Sequence, residues 1–108
     1  MSFDPMAVAV DWLDACRAGD IETILEMHAE DAVVHCGCGD VKTITGRDAL
    51  RAYWVDHLRK YPASTLDDLN PSHAGPLLSY VTSTGVMSAL FEFDAVGRIK
   101  TLNCTPSP

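Results

Sequence analysis

Hydrophobic positions in the first 28 residues repeat with the period of two short helices. Asp4 followed by Pro5 is typical of a helix start, because aspartate caps the first backbone N–H groups and proline fits the first helical position. Gly19 ends this helix, and Asp20 begins the next one. The apolar face of the second helix is predicted to consist of Ile21, Ile24, Leu25 and His28.

The next segment changes to an extended pattern and then returns to a helical one. Residues 32–38 predict a strand, and residues 41–44 predict its short return strand. A third helix begins near Gly46, where Asp48 can complete a capping box, and it ends at Pro62. Its inner face is predicted to hold Leu50, Tyr53, Trp54, His57, Leu58 and Tyr61.

The remaining chain lacks helical periodicity and contains four segments typical of strands, near residues 64–70, 77–83, 86–94 and 98–104. Thr84-Gly85 predicts a tight hairpin turn, which would set Tyr80 opposite Ala89, and a looser turn is expected at 94–97. The element order is therefore ααββαββββ, an α+β fold in a single domain over residues 1–108.

The composition fits a globular chain and narrows the classes of partner. Of 108 residues, 47% are hydrophobic, and no apolar run reaches the roughly 20 residues of a membrane span. The formal net charge of −7 argues against nucleic acid and membrane as partners, since both attract clustered positive charge. The acidic N-terminal sequence differs from an export signal, so a cytoplasmic location is expected, with the four cysteines reduced.

Four local sequences together carry a family resemblance: Ala18-Gly19-Asp20, Ala29-Glu30-Asp31-Ala32, Gly46-Arg47, and the hairpin from Phe91-Glu92-Phe93-Asp94 to Gly97-Arg98-Ile99. In this combination the chain resembles the NTF2-like superfamily, which includes SnoaL-like and ketosteroid-isomerase-like domains. The resemblance implies a cystatin-like α+β cone, in which a curved mixed sheet of about six strands wraps around three helices. It also implies a homodimer and an apolar small-molecule pocket inside the cone. Because this fold hosts isomerases, dehydratases, cyclases, hydrolases and binding domains, it does not name a reaction.

The catalytic residues of ketosteroid isomerases do not carry over onto this chain. Aligned on Gly19 and Asp20, the resemblance places Trp12 at their tyrosine and Cys36 at their carboxylate base. A second alignment, on the later turn, places Ala89 at their oxyanion-stabilising aspartate. An indole titrates nothing and an alanine offers no hydrogen-bond donor, so isomerase activity of that type is not expected.

Strand alternation, combined with the resemblance, predicts which side chains face the pocket. They are Trp12, Val34, Cys36, Tyr53, Trp54, Tyr80, Met87, Ala89, Phe91, Leu102 and Cys104. Such a lining of aromatic and sulfur-bearing side chains suits a small hydrophobic or aromatic ligand. Tyr53 and His57 are the candidate catalytic residues on the third helix, and Cys36 is a candidate reactive thiol.

Simpler interpretations of these residues remain open. Tyr53 and His57 also fit helix packing, the cysteines fit a core, and His28 fits a half-buried position with its nitrogen atoms bonded. The run His35-Cys36-Gly37-Cys38 contains zinc-ligand residue types, but strand alternation turns His35 away from both thiols. The two cysteines are also closer in sequence than those of structural zinc sites. We therefore expect no metal and no cofactor.

Two functions from different classes fit these observations. The first is acid–base chemistry of the isomerase, dehydratase or cyclase type on a small hydrophobic molecule. The second is a non-catalytic module for ligand sequestration or dimerisation. Two convergent titratable groups within hydrogen-bond distance would favour the enzyme, and a cavity filled by Trp12 and Phe91 would favour the module.

The side of the sheet away from the pocket is predicted to form a homodimer interface. Its mixture of apolar and small polar residues suits a protein partner better than open water. On the last two strands these outward positions are Val86, Ser88, Leu90, Glu92, Ile99, Thr101 and Asn103.

Overall fold

The structure of the protein, a computed structural model, describes residues 4–37, 42–73, 75–83 and 85–106, with all their side chains except those of Cys36 and Lys42. Within these ranges three helices and six strands follow in the predicted order. The helices are α1 (Pro5–Ala18), α2 (Ile21–Met27) and α3 (Arg47–Lys60). The strands are β1 (His28–Cys36), β2 (Lys42–Thr45), β3 (Ala63–Asn70), β4 (Leu77–Thr82), β5 (Gly85–Phe93) and β6 (Ile99–Pro106). Over the same residues, no helix is long and apolar enough to span a membrane.

Helix α1 begins and ends at the predicted residues. An Asp4 carboxylate oxygen accepts a hydrogen bond from the backbone N–H of Met6 at 3.0 Å, and a proline occupies the first turn. Gly19 has a φ of 69°, the left-handed conformation that ends a helix. Asp20 then accepts from the backbone N–H of Thr23 and caps α2. The predicted helix boundaries at these four positions are therefore confirmed.

The boundary between α2 and β1 differs from the prediction. The sequence pattern places His28 on the second helix and begins the strand at Ala32, whereas His28 is the first residue of β1. The backbone of His28 is extended (φ −89°, ψ 143°) and pairs with Ile99 of β6. The prediction was wrong because His28 lies two helical turns beyond Ile21 and is buried in either conformation, so the burial pattern alone does not locate the boundary.

The strands form one mixed sheet in the order β2-β1-β6-β5-β4-β3. Strands β1 and β6 run parallel, and the other neighbouring pairs are antiparallel. All three helices pack against one side of the sheet, which we call the inner face, and the opposite side is the outer face. Alternate residues of β5 (Met87, Ala89 and Phe91) are buried on the inner face, as strand alternation predicts.

The hairpin between β4 and β5 has a different register from the one expected. Thr82 pairs with Gly85, so Tyr80 lies opposite Met87 and not opposite Ala89. A shift of two residues keeps a side chain on the same face, and Tyr80 is accordingly buried on the inner face. Residue 84, on which part of the predicted turn falls, lies outside the described residues.

A bulge at Lys100 moves Ile99 to the inner face. Phe93 pairs with Ile99 while Glu92 pairs with Thr101, so β6 has one extra residue at this point. Ile99 is fully buried, and its prediction as an outer-face residue was wrong. Thr101, beyond the bulge, remains partly exposed.

Helix α3 begins after Gly46, as predicted, but without the predicted capping box. Gly46 has a φ of 88°, and no side chain of the described residues caps the helix. Asp48 lies in the first turn, where its charge favours the helix dipole without bonding to the cap. Arg47 donates instead to the backbone carbonyl of Leu25 at 2.8 Å, which joins the start of α3 to the end of α2.

The outer face carries two apolar cross-strand pairs, one of Leu77 with Leu90 and one of Val81 with Val86. Leu77 is 37% exposed, and the other three side chains are partly exposed. Within the described ranges no helix packs on this side of the sheet. The homodimer through this face stays a prediction.

We expect sedimentation velocity at micromolar concentration to show a dimer and the Leu90→Glu variant to sediment as a monomer. Near a twofold axis, each new carboxylate would be buried close to its symmetry mate, which opposes association. The matched control is Val96→Glu in the turn before β6, because Val96 is 76% exposed. A monomeric native chain, or a Leu90→Glu variant that still dimerises, would contradict this interface.

Candidate functional site

Four large aromatic side chains from four different elements meet between the helices and the inner face. The Trp12 ring lies 5.6 Å from Trp54, 5.7 Å from Tyr80 and 5.1 Å from Phe91, measured between ring centroids. The interplanar angles of 71–80° are the edge-to-face geometry that aromatic rings favour. Each of these residues, which we call the aromatic centre, is at most 1% exposed. Trp12 therefore fills the middle of the interior.

Tyr53 and His57 form a hydrogen-bonded pair beside the aromatic centre. A spacing of four residues puts both on one face of α3, and the Tyr53 hydroxyl oxygen lies 3.3 Å from Nδ1 of His57. Their rings stack with centroids 5.1 Å apart, and both rings contact Trp54 edge to face. His57 is 4% exposed, whereas Tyr53 is partly exposed. The structure thus brings two of the predicted catalytic candidates into hydrogen-bond distance.

The His57 imidazole is neutral at pH 7. Burial lowers the pKa of His57 to about 4, and the nearby carboxylate of Asp56 opposes this only weakly. When the Tyr53 hydroxyl donates to Nδ1, the proton of the neutral ring lies on Nε2. That Nε2 atom is buried and has no hydrogen-bond partner among the described residues, so in this tautomer His57 presents an unbonded N–H to the interior.

His28 is a second buried, neutral imidazole. It is 1% exposed and stacks on Trp54 with ring centroids 5.9 Å apart. Burial lowers the pKa of His28 to about 4, and the positive charge of Arg47 acts in the same direction. Neither ring nitrogen has a partner within the described part of the chain, so the expectation of a half-buried histidine with its nitrogen bonded was wrong. The sequence offered one signal, a histidine on an otherwise apolar helix face.

The strands supply several of the residues that were predicted to face the pocket. Val34 of β1, Ala89 of β5, and Leu102 and Cys104 of β6 are fully buried, and Met87 is 3% exposed. These side chains belong to the same buried core as the rings of the aromatic centre. Whether they line a ligand pocket stays a prediction.

The backbone of Cys36 pairs directly with that of Cys104 in the parallel β1–β6 pair. The expected adjacency of these two positions is therefore confirmed. The Tyr80 hydroxyl oxygen lies 3.9 Å from Sγ of Cys104. The Cys36 side chain and the whole of Cys38 lie outside the described residues, so the pocket and thiol roles of Cys36 remain predictions.

The described residues contain no group of three or more histidine, cysteine, aspartate or glutamate side chains able to hold a metal ion. His35 is exposed, and its Nδ1 lies 3.2 Å from the hydroxyl oxygen of Thr43. Cys16 is buried in α1, where burial raises the pKa of its thiol, so it is a packing residue and not a nucleophile. Folding without metal stays a prediction.

A separate cavity of about 160 Å³ opens at the surface, between the start of α1 and the segment before β4. Its lining is uncharged and consists of Pro5, Met6, Pro71, Ser72, Gly75 and Pro76. The Ser72 hydroxyl already donates to the Gly75 carbonyl at 2.5 Å. Because this cavity shares no residue with the aromatic centre or the Tyr53–His57 pair, it is not the predicted pocket.

Solved structures share the fold at low sequence identity. The epoxide hydrolase/cyclase-like enzyme SalBIII, described in pyran ring formation in the polyether salinomycin, gives a TM-score of 0.78 at 16% identity over 94% of this chain and 88% of that chain. A SnoaL-like protein of unknown function from Burkholderia thailandensis gives a TM-score of 0.78 at 18% identity, over 93% of this chain and 92% of that chain. An uncharacterised cystatin-fold protein from Novosphingobium aromaticivorans gives a TM-score of 0.73 at 15% identity, over 95% of this chain and 98% of that chain. At these identities the likeness shows the fold and not the activity.

The sequence itself supports the same relationship. No curated protein matches the chain. The family model of the SnoaL-like domain matches residues 9–100, which is most of the chain and includes all three helices in whole or in part. The chain therefore belongs to the SnoaL-like domain family.

Proposed function

We propose that this chain binds a small hydrophobic molecule against α3 and acts on it by acid–base chemistry of the isomerase, dehydratase or cyclase type. The observation that carries the proposal is the Tyr53–His57 pair, joined at 3.3 Å and ending in a buried Nε2 atom that has no partner among the described residues. An unpaired buried polar atom costs free energy, and a ligand that bonds to it explains why the chain retains it.

The pair works without a formal charge. A neutral imidazole whose Nδ1 accepts from a phenol can donate its Nε2–H to a ligand oxygen and stabilise negative charge that develops there. Tyr53 orients the ring, and its partial exposure makes it the member of the pair that a ligand meets from solvent. Proton transfer next to a carbonyl group and opening of a strained ether both develop negative charge on oxygen. These are steps of isomerisation, dehydration and cyclisation.

The family relationship supports a small-molecule function in a coarse way. One structural neighbour is an epoxide hydrolase/cyclase-like enzyme, and another is a SnoaL-like protein of unknown function. The fold therefore has at least one enzymatic use, and the chemistry in this chain is assigned from Tyr53 and His57 alone.

The second candidate, a non-catalytic module, is favoured by the aromatic centre. Trp12 and Phe91 are fully buried and lie 5.1 Å apart, which is the filled interior expected for a module. In that case Tyr53 and His57 only pack α3 against the centre. The two candidates differ in whether a ligand occupies the region next to His57.

Recovery of a bound molecule separates the two functions. We expect native mass spectrometry of the chain purified from its own host to detect a retained hydrophobic molecule, which denaturation releases for identification. The variants Tyr53→Phe and His57→Phe should retain it about tenfold less, since loss of a buried hydrogen bond weakens binding by about 1–2 kcal/mol. Conversion of the released molecule by the native chain should slow about 10²-fold or more in both variants.

The matched control is His35→Phe, because His35 lies on the exposed side of β1 and should affect neither measurement. A chain that retains and converts nothing would support the module instead. Equal retention by the native chain and both α3 variants would remove Tyr53 and His57 from the site.

A further inference from the structure

The surface cavity at the start of α1 takes no part in the function proposed above. Pro5 and Met6 form one wall, and four residues of the connection between β3 and β4 form the other. The cavity has a volume of about 160 Å³. An apolar cavity of roughly 150 Å³ can hold one benzene molecule, so this space suits a ligand group of about one ring.

The wall from the β3–β4 connection is held in place by β5. The backbone N–H of Phe91 donates to the Pro76 carbonyl at 3.1 Å. A Cβ atom at Gly75 would collide with the carbonyl oxygen of Phe91, so the connection lies directly on the strand. Pro71 and Pro76 have φ angles fixed by their rings. The cavity is therefore already formed in the absence of a ligand, which lowers the entropic cost of binding.

Polar groups at the cavity are bonded within the chain. The Ser72 hydroxyl donates to the Gly75 carbonyl at 2.5 Å and accepts from the Gly75 N–H at 3.2 Å. The N–H of Met6 donates to the Asp4 carboxylate, and proline has no backbone N–H. The residues described as lining the cavity are uncharged, and the Asp4 carboxylate beside Pro5 repels an anion. The lining therefore favours an uncharged ligand group.

The residue types of the lining favour an aromatic ring over a saturated one. Three of the six lining residues are prolines and one is a methionine. Methionine sulfur makes favourable contacts with aromatic rings, and proline-rich surfaces pair with aromatic groups in peptide recognition. A saturated ring of the same size would fill the space without these contacts.

The small extent of the lining favours a free molecule over a protein partner. A stable protein interface uses about 20–30 residues on each side. Six residues line this cavity, which is enough to surround one ring.

We propose that this cavity is a second binding site, for a small uncharged molecule that presents an aromatic ring. The ring packs between Met6 and Pro71, and polar groups of the molecule remain in solvent at the opening. The site is independent of the proposed function, because it shares no residue with the Tyr53–His57 pair.

Phenol and cyclohexanol test the proposal, since they are similar in size and uncharged at pH 7 but only phenol is aromatic. The chain has four methionines, whose carbon-13-labelled methyl groups give separate NMR signals. Met6 lines the cavity, whereas Met87 is 3% exposed in the core, so the two signals distinguish binding at the surface from binding in the interior. The Met6→Leu variant identifies the Met6 signal.

We expect phenol to shift the Met6 methyl signal in a saturable way, with a Kd of about 1–10 mM, as suits a ligand of seven heavy atoms. Cyclohexanol should bind at least about threefold more weakly, because it lacks the contacts of an aromatic face. The Met87 signal should not follow the same titration curve.

The Pro71→Ala variant removes one side of the cavity and should weaken phenol binding by about threefold or more. Pro71 is exposed, so the variant should still fold. The matched control is Pro62→Ala, because Pro62 is also exposed but does not line the cavity, and it should leave phenol binding unchanged.

Each contrary outcome overturns a stated part of the proposal. A Met6 signal that does not respond to phenol would remove the site, and a response of Met87 alone would place phenol in the interior. Equal affinity for phenol and cyclohexanol would overturn the aromatic class. Equal phenol binding by the native chain and the Pro71→Ala variant would overturn the location. None of these results bears on Tyr53 and His57, so the proposed function fails or stands separately.

Discussion

Acidification from pH 7 to pH 5 is expected to lower the free energy of unfolding by several kcal/mol. His28 and His57 have a pKa of about 4 in the folded chain, against an ordinary value of 6.5. Between these values the unfolded chain binds more protons, so stability is unaffected by these groups well above pH 6.5 and falls as the pH drops towards 4. At pH 5 the loss amounts to about 2 kcal/mol for each imidazole, a large part of a typical total stability of about 5–15 kcal/mol.

Urea unfolding at pH 7, 6 and 5 measures this loss. His28→Phe and His57→Phe should each remove about half of the pH dependence, whereas His35→Phe should remove none. The pKa of Glu22 is lowered, chiefly by its hydrogen bond from Arg51, so that pair loses its contribution only as the pH falls below about 4.5 and does not interfere. Equal stability at pH 7 and pH 5 would mean that the two imidazoles are not held neutral, which would weaken the proposed site.

Trp12→Ala is expected to destabilise the chain by about 3–5 kcal/mol. The substitution removes a fully buried indole that contacts Trp54, Tyr80 and Phe91, and it leaves a cavity where four elements meet. Trp12→Phe keeps a ring in this position, so its cost should be about half as large. Urea unfolding at pH 7 measures both.

Val96→Ala is the matched control for this prediction, because Val96 is 76% exposed and its truncation should change stability by less than about 0.5 kcal/mol. A Trp12→Ala variant as stable as this control would contradict the description of the aromatic centre.

Local sequence signals were sufficient where structure depends on neighbouring residues. Asp4 begins α1 and Gly19 ends it through contacts within one helical turn. The turn predicted at 94–97 forms because an Asp94 carboxylate oxygen accepts hydrogen bonds from the backbone N–H groups of Val96 and Arg98. The alternation that placed Phe91 inside needs only a strand with one buried face. The fold class followed from these elements together with the family resemblance.

Two of the errors occurred where distant parts of the chain decide the outcome. His28 leaves the helix because it pairs with Ile99, some 70 residues later, and no local pattern contains that pairing. The bulge at Lys100 likewise depends on the partner strand β5. Each misplaced residue is buried by a contact that the sequence near it does not encode.

The candidate site was likewise predictable only where its geometry depends on residues close in sequence. The pairing of Tyr53 with His57 follows from a spacing of four on one helix. Nitrogen atoms of Trp12, Trp54 and His28 have no hydrogen-bond partner in the described part of the chain, and this does not follow from any spacing, because it depends on which atoms folding brings near them. Sequence could therefore name the aromatic residues, while their unmet hydrogen bonds required the three-dimensional structure.

The parallel pairing of β1 with β6 has a consequence for the order of events during synthesis. Strand β1 is complete by residue 36, yet its neighbour on one side begins only at Ile99. Until β6 leaves the ribosome, β1 has an open edge and the helices have no finished sheet to cover. A pairing between strands so far apart in sequence forms slowly, which favours late consolidation of this part of the sheet. The rings that surround Trp54 can therefore assume their final arrangement only after β6 has been made.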